Sequence, residues 1–195
     1  SGNCSNLAIN GNLAVNNALS SGGVISVTGT TSATGTISAG GDITFGGTAD
    51  VAEVTSTSGA ISVTGDATAS GAISANGNIT FGKNAIINEV TSTNGAISVG
   101  GTTSANGNIT SAQSQTFNGA FTLNNSVTIL AKNNTVLFKD TVNGTYDLAI
   151  GNNANATNVT FEKSAGSTDV INSLFVKGNI TANDKITTKG NIAVG

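Results

Sequence analysis

The chain has 195 residues, of which only 9% are charged, and its net charge at neutral pH is −3. Ordinary globular proteins carry roughly 25% charged residues, whereas this chain has seven lysines and no Arg, His, Trp, Met or Pro. It therefore lacks the basic patch that nucleic acid or anionic lipid requires, and no apolar run is long enough for a membrane-spanning helix, so neither nucleic-acid binding nor membrane insertion is expected.

Residues 1–22 form an N-terminal segment, which begins Ser-Gly-Asn-Cys without an initiator Met or an apolar leader. This start indicates processing, so we expect a signal peptide to have been removed and the location to be extracellular or at the cell surface. A trimmed chain is the alternative. Cys4 is the single cysteine, so an intermolecular bond or a free thiol is expected rather than an internal disulfide.

Residues 23–130 repeat with a period of 36 that divides into two halves of 18. A coil of 18 residues that stacks in register on the previous coil explains this period, because equivalent side chains then form ladders along the axis. The first ladder consists of Ile25, Ile43, Ile61, Ile79 and Ile97. The ladder beside it alternates between two residue types, as Val27, Phe45, Val63, Phe81, Val99 and Phe117.

An alternation of period 2 runs beneath the repeat. Most odd positions hold Gly, Ala or an aliphatic residue, and most even positions hold Ser, Thr, Asn or Asp. This pattern indicates strands with one buried face, and no helical period of 3.6 is present. Glycine at every sixth residue from Gly23 to Gly47 predicts corners. We therefore expect three sides of six residues in each coil.

Two carboxylates interrupt the odd columns. Glu53 and Glu89 lie 36 residues apart, in a column that is held elsewhere by Gly35, Gly71 and Gly107. Burial of an unpaired carboxylate is costly, so this column is expected at a solvated corner. Two kinds of coil are therefore expected to alternate.

From about Phe117 the register loosens, although strand-like segments continue. These segments are 120–123, 126–130, 135–139, 146–150, 158–162, 174–177, 179–182 and 185–194. Residues 131–195 are predicted to continue the solenoid with wider, irregular coils, or alternatively to form a small β-rich cap. The predicted fold is therefore all-β, a parallel β-helix (β-solenoid).

The second half contains phrases that resemble a known group of proteins. Residues 116–123 read Thr-Phe-Asn-Gly-Ala-Phe-Thr-Leu, residues 158–161 read Asn-Val-Thr-Phe, and residues 171–176 read Ile-Asn-Ser-Leu-Phe-Val. They resemble the strand repeats of filamentous-haemagglutinin-like and autotransporter-passenger surface proteins of bacteria. The resemblance implies a right-handed parallel β-helix, secretion and a role at the cell surface. The hexads are also similar to left-handed β-helices, and Gly-Asn-Ile-Thr phrases are similar to phage tail fibres, so the hand stays open.

Enzymatic activity, cofactors and metals are not expected. Without His or Arg, nucleophilic triads and phosphate clamps cannot be assembled. The carboxylates Asp42, Glu53, Asp66 and Glu89 are spread along the repeat like solvent-facing residues rather than paired as in a glycosidase. Zinc ligands do not cluster, and no acidic calcium-binding repeat is present.

Threonine-rich faces of β-solenoids can bind ice, which makes ice binding a lesser alternative. The even-numbered threonines drift out of column, however. Thr28 aligns with Gly46, and Thr30 aligns with Thr48 and then Asp66.

The two ends of the chain contain similar pentapeptides. Residues 11–15 read Gly-Asn-Leu-Ala-Val and residues 190–194 read Gly-Asn-Ile-Ala-Val. Bare solenoid ends polymerise unless capped, and a head-to-tail contact that does not close produces a filament. The candidate assembly and crosslink residues are Cys4, Leu13, Val15, Ile192 and Val194.

The function predicted from these ends is a structural subunit of an extracellular or cell-surface fibre, with a second copy of the chain as its partner. The alternatives are an adhesin stalk or passenger fragment, which would bind host or cell-surface ligands, and a phage-type fibre.

Overall fold

The computed structural model describes residues 5–132 and 134–195, and Cys4 lies outside them. The described residues contain no helix. Their strands are β1 Leu7–Ile9, β2 Leu13–Val15, β3 Leu19–Ser21, β4 Ile25–Val27, β5 Thr31–Ala39, β6 Ile43–Phe45, β7 Ala49–Ser56, β8 Ile61–Val63, β9 Ala67–Ala69, β10 Ala72–Ala75, β11 Ile79–Phe81, β12 Ala85–Ile87, β13 Glu89–Ser92, β14 Ile97–Val99, β15 Thr103–Ala105, β16 Ile109–Ser111, β17 Gln115–Phe117, β18 Phe121–Leu123, β19 Val127–Ala131, β20 Thr135–Phe138, β21 Val142–Asn143, β22 Leu148–Ile150, β23 Asn158–Phe161, β24 Leu174–Val176, β25 Ile180–Ala182 and β26 Ile192–Val194.

The strands pair in parallel and form a solenoid of ten coils. One sheet takes a single strand from each coil, in the order β1-β4-β6-β8-β11-β14-β17-β20-β23-β25, and we call it side 1. A second sheet covers the other two sides of the coil, because β5 continues around a corner and pairs with both β2 and β3. We call the part that begins with β2 side 2 and the part that begins with β3 side 3. The predicted parallel β-helix is thus confirmed.

The interior of the rod is built from ladders of identical or similar side chains. On side 1 the isoleucines pair in unbroken register from Ile25 to Ile97, and each is buried. The neighbouring ladder includes three stacked rings, Phe117, Phe138 and Phe161, whose successive centroids are 5.2 Å apart. Because parallel strands repeat about every 4.8 Å, rings in one column can stack on each other. Packing of such rings contributes beyond the area that they bury.

The coils widen after Phe117, as the sequence predicts. On side 1 the offset between paired residues is 18 as far as Gln115. It then becomes 21 from Gln115 to Val136, 23 from Val136 to Val159, and 21 from Val159 to Ile180. The wider coils remain in the same two sheets, so the irregular part continues the rod.

On side 3 the repeat departs from a strict 18. A bulge lies between Ala33 and Thr36, so that Thr36 pairs with Glu53 and Ala72 pairs with Glu89, at an offset of 17. The expectation that these glutamates share a column with Gly35 is therefore wrong. The coil that contains the glutamate is one residue shorter as far as this side, and its following turn is one residue longer, so the offset is 18 again on side 1. Both carboxylates are exposed to solvent.

Candidate assembly interface

The described part of the chain offers no enclosed site. Among residues 5–132 and 134–195 there is no pocket and no group of three or more His, Cys, Asp or Glu that could hold a metal ion. No helix in these residues is long and apolar enough to cross a membrane.

Both end coils leave part of the apolar interior uncovered. At the N-terminal end, Leu7, Leu13 and Leu19 are only partly buried. At the C-terminal end, Ile192 is 48% exposed and Val194 is 59% exposed. The residues below these two in the preceding coil, Leu174 and Val176, are almost fully buried. The apolar columns therefore stop at surfaces that a further coil would cover.

The strands of the end coils are paired along one edge only. Within the described residues β1 pairs only with β4, whereas β2 and β3 pair only with β5. At the other end, β25 pairs only with β23 and β26 only with β24. The remaining edge of each strand presents backbone donors and acceptors without a partner strand, which is the usual template for adding another strand.

The structure places the two similar pentapeptides on different sides of the coil. Leu13 and Val15 lie in β2 on side 2, whereas Ile192 and Val194 lie in β26 on side 3. The column that contains Leu13 ends at Ile186. In a straight continuation of the rod these two segments would therefore not meet. The wide coils change the residue count between equivalent positions, so sequence similarity does not identify the same side.

The column of Leu19 behaves differently. It passes through Ile109 and Ile129 and ends at Val194. In a straight continuation Leu19 would therefore follow Val194. Of the two apolar residues proposed from the C-terminal motif, Val194 therefore faces a column that the first coil continues, whereas Ile192 does not.

A polar contact repeats at the corners. The Oδ1 atom of an Asn or Asp that precedes a strand, or that begins it in the case of Asn158, accepts a hydrogen bond from the backbone N–H of the equivalent residue in the next coil. The acceptor and donor residues are Asn6 and Val24, Asn12 and Thr30, Asp42 and Ala60, Asp66 and Asn84, Asn78 and Ala96, Asn84 and Thr102, Asn108 and Thr128, and Asn158 and Asn179, at 2.8–3.1 Å. In each of these pairs the acceptor side chain belongs to the coil that comes first in the chain.

We call these contacts corner caps. They satisfy backbone N–H groups that point along the axis at a bend, where the strand ladder is interrupted. This role is not among those predicted from the sequence, although its signal is present there as an Asn or Asp before an apolar residue. In the last coil Asn179 occupies the same position before Ile180, and its exposed side chain makes no hydrogen bond within the described residues.

The outer face of side 1 carries a row of hydroxyl groups. Residues that pair with one another in the centre of each strand are Ser26, Thr44, Ser62, Thr80, Ser98 and Thr116. This row is continuous over six coils, unlike the column of Thr28. It is one residue wide, because the positions on either side of it vary.

Charge is distributed unevenly along the rod. Six of the seven lysines follow residue 131, and residues 1–41 carry no charged side chain. One carboxylate links two wide coils: Asp147 accepts hydrogen bonds from Ser173 Oγ at 2.7 Å and from Asn172 Nδ2 at 2.6 Å. These two donors hold the pKa of Asp147 below its ordinary value of 3.8.

Comparison with family models, curated proteins and solved structures finds no match to this chain. The resemblance to bacterial surface β-helices therefore stays a prediction.

Proposed function

We propose that the chain is a structural subunit that assembles head to tail into an extracellular or cell-surface fibre. The observation that supports this proposal most directly is the interruption of the apolar columns at both ends. Leu7, Leu13 and Leu19 are only partly buried at the N-terminal end, and Ile192 and Val194 are about half exposed at the C-terminal end. The resemblance to bacterial surface repeats supports the location.

A second copy of the chain fits these ends because both surfaces combine a ring of apolar side chains with free strand edges. The edges are those of β1, β2 and β3 at the N-terminal end and those of β25 and β26 at the C-terminal end, where side 2 ends in the bridge residue Ile186. Removal of apolar surface from water stabilises a contact by about 25 cal/mol per Å². The two surfaces belong to opposite ends of the rod, so the contact is heterologous, and a heterologous contact that does not close forms a filament.

The test is assembly of residues 1–195 across a wide range of concentration, followed by sedimentation velocity and electron microscopy. The unmodified chain is expected to form unbranched filaments one rod in width. Ile192→Lys should abolish them, because assembly would bury an unpaired charge. Ile86→Lys is the matched control, since Ile86 is 45% exposed on side 2 in the middle of the rod.

Two outcomes would overturn the proposal. One is an unmodified chain that stays monomeric at every concentration. The other is a loss of assembly that is equal for Ile192→Lys and Ile86→Lys, because the ends would then have no special part.

The hydroxyl row of side 1 favours ice binding as a second candidate. Thr44 and Thr80 are exposed and stand on a parallel sheet with a regular axial repeat. This candidate predicts thermal hysteresis that is lost in the double variant Thr44→Lys and Thr80→Lys. Equal freezing behaviour of the chain and of the double variant would exclude it.

A further inference from the structure

We infer that successive subunits continue the solenoid in one register, with Ile180 of one copy beneath Leu7 of the next and Asn179 Oδ1 accepting the backbone N–H of Asn6. This inference rests on the proposed fibre, and it adds the register and polarity of the junction. It selects between two ways of stacking the ends. In the straight register each side of the last coil meets the same side of the first coil of the next copy. In the rotated register the second copy is turned by one side, so that the two similar pentapeptides align.

The apolar columns favour the straight register. Following each column through the rod, the column of Leu7 ends at Ile180, that of Leu13 ends at Ile186, and that of Leu19 ends at Val194. Each of these residues is only partly buried or is exposed in the single chain. The straight register therefore places an apolar side chain of one copy on an apolar side chain of the next copy at each of the three sides.

The corner caps favour the same register. On side 1 a cap oxygen lies beneath the next coil at Asn6, Asp42, Asn78 and Asn158. Asn179 occupies this position in the last coil, and no described residue donates to its side chain. The backbone N–H of Asn6 likewise has no acceptor among the described residues. The straight register brings this acceptor and this donor together.

The backbone edges are complementary in this register as well. The N–H of Leu7 donates to Val24 within the rod, so the N–H of Ala8 points to the free edge, because successive groups of a strand alternate in direction. The N–H of Asn179 donates toward Asn158, so the N–H of Ile180 points to the opposite free edge. Across the junction the N–H of Ile180 and the N–H of Ala8 can therefore each donate to the other copy, so that the ladder of side 1 continues.

A step between narrow and wide coils already exists inside the chain. Ile109 of a narrow coil pairs with Ile129 of a wide coil, and Val127, two residues before Ile129, extends beyond the first residue of β16. The straight register repeats this arrangement, because Val194 meets Leu19 while Ile192 extends past β3. The rotated register would instead require Ile192 to pair with Leu13.

Cysteine crosslinking distinguishes the two registers. In a Cys4→Ser background, the pair Ala8→Cys and Thr181→Cys faces across the straight junction, and the pair Ala14→Cys and Ala193→Cys faces across the rotated one. All four positions are exposed, so each variant keeps the core intact. Neighbouring parallel strands lie about 4.8 Å apart, which is within the Cα separation of disulfides.

The first pair is expected to give a ladder of covalent oligomers when filaments are mildly oxidised, while the second pair stays monomeric on a non-reducing gel. A ladder from the second pair, or no ladder from the first pair in filaments that form normally, overturns the register and leaves the proposed fibre intact. An unmodified chain that never assembles overturns the fibre itself.

Removal of single caps tests the polar contact. Asn179→Ala is expected to raise the critical concentration for assembly about 2- to 12-fold, the equivalent of one net hydrogen bond. Asn191→Ala is the matched control, because Asn191 is also exposed before an isoleucine in the last coil but faces no strand of the first coil. A larger effect from Asn191→Ala than from Asn179→Ala contradicts the inference.

Discussion

At the scale of single residues, one glycine column of the repeat contains two kinds of position. A Cβ atom on Gly59 would lie 2.4 Å from both the backbone nitrogen and Oδ1 of Asp42. A Cβ atom on Gly41 would lie 3.1 Å from a methyl group of Val24 and 3.3 Å from the nearest backbone atom. The difference follows the corner caps, since Asp42 folds its side chain over the coil of Gly59. The corner caps of side 1 therefore follow the 36-residue period, at Asn6, Asp42 and Asn78.

Gly59→Ala is expected to lower the free energy of unfolding by about 1–3 kcal/mol, because the new methyl group overlaps backbone that cannot move aside. Gly41→Ala is expected to change it by less than about 1 kcal/mol, since the neighbouring Val24 side chain is 37% exposed and can rotate. Urea unfolding of both variants measures the difference. Equal destabilisation would show that the caps do not distinguish the two glycines.

Gln115 is the polar member of the isoleucine ladder. It pairs with Ile97 below and Val136 above, and it is fully buried. Its Nε2 atom donates to the carbonyl of Leu130 at 2.9 Å and to Ser111 Oγ at 3.0 Å, while Oε1 has no partner. The residue lies where the coil widens, and it satisfies the carbonyl of Leu130 near the end of β19.

Gln115→Glu should therefore destabilise the fold by about 3–5 kcal/mol at neutral pH, because a carboxylate cannot donate to Leu130 and its charge is buried. Gln115→Leu conserves volume and leaves one carbonyl unsatisfied, at a cost of about 1–3 kcal/mol. Urea midpoints of the two variants test this order. A Leu variant that is as unstable as the Glu variant would show that the buried charge adds no cost, and would contradict this order.

At the scale of elements, neighbouring coils are joined by side chains as well as by strand ladders. Asp147 follows this rule on side 3, where it precedes β22 and accepts hydrogen bonds from Asn172 and Ser173, just before β24. Its pKa is lowered first by the Ser173 hydroxyl and then by the Asn172 amide. The ionised form is therefore the form that joins the two coils.

A carboxyl group with a lowered pKa in the folded state contributes stability above its ordinary pKa, and that contribution is lost as the pH falls through the folded-state pKa. The urea concentration at the midpoint of unfolding should therefore decrease as the pH falls below 3.8, the ordinary pKa of this group. Asp147→Asn should show a smaller fall, because its amide does not titrate. Asp50→Asn, at an exposed position on side 2, is the control and should retain the full fall. Parallel acid profiles for the chain and Asp147→Asn would contradict this assignment.

The sequence predicted the coil because each side 1 residue returns at 18 residues, so the ladder of Ile25 and its partners is visible without a structure. The bulge before Thr36 could not be predicted from the sequence. The coil that is one residue short on side 3 regains that residue before the next isoleucine of side 1. The side occupied by Ile192 was also hidden, because the irregular coils change the count. The corner caps could not be predicted for another reason. The Asn or Asp is a local feature of the sequence, but the backbone N–H that donates to it lies one coil away.

At the scale of the whole molecule, the rod is nearly one-dimensional. Every strand pairs with strands of adjacent coils, so stability is a sum of coil and interface contributions. The end coils have one interface instead of two, and they are therefore expected to open most readily. In a filament each end coil gains the interface that it lacks, so assembly should change protection at the ends and leave the centre unchanged.

Hydrogen exchange at single amides makes this expectation specific. In the monomer the N–H of Leu7 is bonded to Val24, whereas those of Ala8 and Ile180 point to free edges. Ala8 and Ile180 should therefore exchange rapidly in the monomer and slowly in the filament, because each gains a carbonyl acceptor across the junction. Amides of β11, in the middle of the rod, should be slow in both states. If Ala8 and Ile180 exchanged as rapidly in filaments as in monomers, the strands of side 1 would not continue across the junction, and the filament would have to be held by another surface.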